Sequence, residues 1–139
     1  MRHLFFFLLL LGMMPGTMPG QIRTDSASII RQVDSLIQVS RSLTDKKDFD
    51  KALEANAAAE KLALENLGRE TAAYGSVCSN YGKILFGKRD YPGAEKWYVE
   101  ATAIQSKITG EEHPAYAESM YQLAGFYNDT RNYGQAEPI

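Results

Sequence analysis

Residues able to act as nucleophile, base or metal ligand are few in this chain. One cysteine, Cys78, and two histidines, His3 and His113, are the whole supply of thiol and imidazole. A single cysteine excludes an intrachain disulfide and a thiolate cluster for zinc. Cys78 stands on an apolar helical stripe with no histidine near it in sequence, a setting in which cysteine is a small inert hydrophobe. His113 precedes Pro114 and reads as a turn or helix-start residue. The charge is mixed, 15 Lys and Arg against 17 Asp and Glu, with no basic run to follow a phosphate backbone. The sequence therefore predicts no catalytic residue, no metal, no cofactor, no nucleic-acid partner and no small-molecule substrate. Amides, hydroxyls and scattered charges at helical spacing remain, and these suit recognition by surface contact.

The first residues read as an address. Met1-Arg2-His3 is followed by an apolar run from Leu4 to Leu11 and then by Pro15, Gly16, Pro19 and Gly20. That run is shorter than the roughly 20 residues a helix needs to span a bilayer. Basic start, short apolar stretch and small-residue exit are the parts of a secretory signal peptide, here residues 1–20 with cleavage near Gly20. The mature chain is expected to be exported, periplasmic or extracellular, without a membrane span.

Three short strings recur at one offset of 42 residues (49 to 91 to 133): Asp45-Lys46-Lys47-Asp48-Phe49, Gly87-Lys88-Arg89-Asp90-Tyr91 and Asp129-Thr130-Arg131-Asn132-Tyr133. Ala52, Ala94 and Ala136 keep the same step, as do Gly68 with Gly110 and Tyr74 with Tyr116. A repeated period of this size signals stacked supersecondary units. Between the strings, Leu36, Val39, Ser40 and Leu43 fall at helical spacing, and Cys78, Tyr81, Gly82 and Leu85, then Met120, Leu123, Ala124 and Tyr127, repeat the stripe. Asp48, Asp90 and Asn132 are expected to cap a second helix in each unit. Gly68 and Gly110 are expected to end it. The recurring Lys46-Lys47 and Lys88-Arg89 read as solvated turn charges, and Trp97 and Tyr98 as packing residues. The fold expected is all-α: residues 21–139 as antiparallel helix pairs, with units at about 26–68, 69–110 and 111–139.

The small residue on each first helix (Ser40, Gly82, Ala124), followed by alanines on the second, resembles the tetratricopeptide repeat. Its period and the Gly110-Glu111-Glu112-His113-Pro114 turn are similar to the kinesin-light-chain variant. Asn56 stands where that pattern has an aromatic, which predicts a weaker first unit. The resemblance implies a right-handed α-solenoid that binds a protein or peptide. With its export signal, the chain also resembles the N-terminal part of bacterial repeat proteins that often end in a CHAT domain. Two further readings are thereby open: the recognition arm of a longer cysteine peptidase, or the sensory region of a signalling protein such as a histidine kinase. The third unit stops one or two turns into its expected second helix, so the sequence reads as partial.

In a repeat solenoid the first helices line a concave binding surface. That face is expected to carry Asp34, Ile37, Gln38 and Arg41, then Ser76, Ser79, Asn80 and Lys83, then Glu118, Tyr121, Gln122 and Asn128. The resemblance implies that Asn80 and its counterparts Gln38 and Gln122 meet peptide backbone, since an amide offers donors and an acceptor. Arg41 and Lys83 suit an acidic partner, and Tyr121 supplies contact area. A carboxylate clamp is not expected, because Ile37 and Glu118 hold two of its basic places.

Overall fold

The computed structural model describes the backbone of residues 19–134 and the side chains of residues 25–131. The expected signal sequence lies outside the described residues, apart from its last two positions. Within them the chain forms α1 (Pro19–Asp45), α2 (Phe49–Asn66), α3 (Ala72–Gly87), α4 (Tyr91–Thr109) and α5 (Pro114–Gly134), with no strand. It is an all-α solenoid of helix pairs, α1 against α2 and α3 against α4, with α3 also touching α1 and α2, and α5 laid on α4.

The tight turns follow from local chemistry. Lys47 and Arg89 take positive φ (62° and 65°). Each lets the next amide reach back across the helix end, Asp48 N to Leu43 O and Asp90 N to Leu85 O, both at 2.9 Å. This is the Schellman pattern, which satisfies carbonyls that a helix end leaves free. Asp90 then caps α4 by accepting from Gly93 N at 3.1 Å. Asp48 makes no cap hydrogen bond and instead pairs with Lys51 at 3.1 Å. Gly68 and Gly110, at φ 90° and 82°, turn the chain between units, and His113 Nδ1 accepts from Ala115 N at the start of α5.

Four expectations need correcting. α1 begins at Pro19, not near Ser26; proline at a first helical position gives up only an amide that would be free anyway. α5 runs unbroken through Asp129–Tyr133, so Asn132 does not open a new helix. Continuing a helix adds one hydrogen bond per residue, and no following helix among the described residues packs on α5 to repay a turn. Ile37 is buried at 2% exposure, because α1 packs directly on α3 and encloses it with Val33, Ala73 and Val77. Val39, expected in the stripe, is 50% exposed. Its counterpart Tyr81 packs backward onto Ala59 and Ala63 of the preceding pair, and no earlier pair exists for α1 among the described residues.

Asn56 stands in the first unit where the second has an aromatic ring. In the second unit the ring of Tyr98 lies against Gly82, where a Cβ would stand 2.9 Å from it. The corresponding pair in the first unit is Ser40 and Asn56, and both are fully buried. Ser40 Oγ donates to Ala52 O at 2.8 Å and Asn56 Nδ2 to Val77 O at 3.1 Å. Two side chains, each hydrogen-bonded to a backbone carbonyl, replace an aromatic ring on glycine.

Candidate functional site

Helices α1, α3 and α5 bring most of the recognition residues together. Arg41, Ser79, Asn80, Lys83 and Gln122, with Tyr98 of α4, line one cleft of about 390 Å³. A second, of about 410 Å³, shares Tyr98 and Gln122 with the first and adds Tyr121, Asn128, Glu118, Asp129, Phe86, Gly125 and Phe126. Gln38 is exposed on α1 and lines neither cleft.

Asn80 differs from the solvated amide expected of it. It is 2% exposed, and its Nδ2 donates to Ser40 Oγ and to Asn56 Oδ1, each at 2.9 Å. The orientation is forced. Ala52 O and Val77 O are acceptors, so Ser40 and Asn56 must donate to them; the remaining hydroxyl and carbonyl oxygens must then accept from Asn80. Asn80 Oδ1 is left with no partner among the described residues. Of the amide's donor and acceptor sides, only the acceptor is unengaged.

Charge divides the two clefts. Arg41 has no hydrogen-bond or ion-pair partner among the described residues, and Lys83 meets Asp45 only at 3.9 Å with both side chains largely exposed, a pairing worth little in water. The second cleft holds Glu118 and Asp129 beside aromatic rings. Phe126 packs edge-on to Phe86, centroids 6.0 Å apart, and tilted against Tyr98 at 5.7 Å. Burial pushes the Tyr98 hydroxyl up to about 12, so it stays protonated and able to donate.

Tyr98, Phe86 and Asp129 were missed from sequence. Asp129 was assigned to a turn, yet Glu118, Tyr121, Gln122, Gly125 and Asp129 form one stripe once α5 is continuous. Tyr98 reads correctly as packing, since one side of its ring meets Gly82, but it also forms wall to both clefts.

Elsewhere the chemistry is quiet. Burial pushes the fully buried Cys78 thiol up to about 12, a rise that the Tyr74 hydrogen bond opposes and that Glu100 and Glu60 add to; the reactive thiolate is suppressed. Trp97 stacks on Tyr81, centroids 4.5 Å apart, and the Tyr81 hydroxyl donates to Glu60 at 2.7 Å. Among the described residues no group of three or more His, Cys, Asp or Glu is placed to hold a metal, and no helix is long and apolar enough to cross a membrane.

The family profile of the tetratricopeptide repeat matches residues 70–139, half of the chain. The chain belongs to the tetratricopeptide repeat family. Two relatives extend the comparison. The RxLR effector protein SFI4 of Phytophthora infestans (strain T30-4) is 26% identical over 126 residues, covering 81% of this chain and 37% of the relative. The secreted RxLR effector protein RXLR-C07 of Plasmopara halstedii is 23% identical over 126 residues, covering 81% of this chain and 39% of the relative. This tetratricopeptide chain thus spans less than two-fifths of the length of each.

Proposed function

We propose that this chain is a non-catalytic repeat scaffold of an exported protein, which binds a protein or peptide partner in the paired clefts. The observation that carries this reading is the convergence of Arg41, Ser79, Asn80, Lys83 and Gln122, from three helices, on one cleft. Two cationic side chains there suit a carboxylate, since hydrogen bonds to ionised groups are the stronger ones. Asn80, buried with both donors engaged, holds together the helices that form the cleft. Tetratricopeptide repeats are generally protein-binding modules, and both relatives are named as effectors. Export is supported by the basic start and apolar run of residues 1–20 and by the word secreted in the name of one relative.

The test is direct. A random-peptide display library panned against the full chain is expected to return sequences that carry acidic side chains, with affinity reduced at least tenfold by R41E together with K83E. Selected peptides that bind this double variant unchanged, or no selection at all, would remove the clefts as the binding surface.

A further inference from the structure

We infer that the two clefts form one bipolar groove, built for an extended peptide with an acidic side chain at one end and an arginine or lysine at the other. This rests on the groove reading above and adds the second half of the ligand. The formal charges lining the first cleft are Arg41 and Lys83, and those lining the second are Glu118 and Asp129. The sorting is not undone by internal pairing. Glu118 accepts only from the neutral Gln122 amide, at 3.2 Å, and Asp129 has no ion-pair partner among the described residues.

The second cleft suits a cation better than an apolar anchor. Tyr121, 76% exposed in its lining, offers a π face. A guanidinium or ammonium within about 6 Å of such a ring is attracted by its negative face. The methylene stem of arginine or lysine can lie along the aromatic wall while its head reaches the carboxylates at the rim. An apolar side chain filling the same space would desolvate two carboxylates without neutralising them, which is unfavourable. Between the two charged ends, Tyr98 and Gln122 line both clefts, and they offer hydroxyl and amide groups to the intervening peptide backbone. A bipolar ligand would satisfy both ends at once, whereas a uniformly charged one would be repelled at one of them.

The experiment uses the full chain and fluorescein-labelled decapeptides in four forms: glutamate-rich then arginine-rich, the reverse order, glutamate-rich throughout, and arginine-rich throughout. Fluorescence anisotropy is expected to show the better bipolar peptide binding at least tenfold tighter than either uniform peptide. E118Q with D129N should abolish that advantage. E118K with D129K should transfer it to the uniformly acidic peptide, with circular dichroism confirming that both variants keep their helices. If the uniformly acidic peptide matches the better bipolar one on the unaltered chain, the bipolar inference is overturned and the groove reading stands. If none of the four binds, both fail together.

Discussion

Asn80 Nδ2 lies 2.9 Å from Ser40 Oγ, joining α3 to α1 across 40 residues of sequence inside the core. The same nitrogen donates to Asn56 Oδ1, so one amide ties three helices. The bonds made by Nδ2 offset the cost of the buried Asn80 Oδ1, which has no partner among the described residues.

Replacing Asn80 tests this joint. N80L leaves Asn56 Oδ1 without its donor and should cost about 2–3 kcal/mol, the scale of a buried polar group left unpaired. N80D should cost more at pH 7, because it sets a carboxylate against Asn56 Oδ1. Burial raises the pKa of such a carboxylate in the folded state, so its penalty is greatest at neutral pH and shrinks as pH falls toward 4. Urea unfolding at pH 7 and pH 4.5 reads both effects; a loss below 1 kcal/mol for N80L would show that the network is incidental.

Two glycines separate packing from propensity. In a helix alanine is favoured over glycine by about 1 kcal/mol. A Cβ at Gly125 would have nothing within 4 Å, so G125A should gain most of that. At Gly82 the Tyr98 ring stands 2.9 Å from the same added atom and is backed by Phe126. Overpacking costs about 1–3 kcal/mol, so G82A should be net destabilising. Thermal melts moving in opposite directions are the expected result; a stabilised G82A would mean that Tyr98 is free to withdraw.

Alkaline pH should weaken the fold before it breaks it. Burial raises Cys78 from an ordinary 9.0, and Tyr74 and Tyr98 from 10.0, each to about 12. Each is raised in the folded state, so the unfolded chain loses its protons first as pH climbs. The stability these groups contribute is therefore complete below about pH 9 and is lost progressively from pH 9 to 12. Urea midpoints should fall over that window, and Cys78 should react with a thiol reagent at pH 8 only after unfolding. Stoichiometric labelling of the native chain would contradict its burial.

Helix α5 is the least supported element. It rests on α4 and reaches α3 through Phe126, while Met120, Tyr121 and Tyr127 remain exposed. Elements with few buried contacts open most easily. Hydrogen exchange should show lower protection over residues 117–134 than over α3, and equal protection would refute that ranking.

How much was legible follows from these particulars. The period, the left-handed glycines and the cap at Asp90 are local chemistry, and the sequence displays local chemistry directly. Ile37 and Val39 were misplaced because burial on the first unit depends on which neighbours are present, and a stripe shared by three helices conceals that difference. Asn56 read as a departure because its partners Val77 O and Asn80 lie 21 and 24 residues away, and only the fold brings them together. Of the three amides, Asn80 and Gln122 line the clefts and Gln38 lines neither, and the direction in which Asn80 faces is set by two backbone carbonyls that no side-chain pattern reveals.

The Ser40–Asn56–Asn80 joint also makes the repeats non-interchangeable. One step along the array the corresponding places are held by Gly82, Tyr98 and Gln122, which form no such hydrogen-bonded set among the described residues. Asn80 therefore functions as a key cut for a single lock: a chain slipped by one unit would find no fit there. Ordering of the modules is written in polar atoms, while the apolar surfaces supply general adhesion.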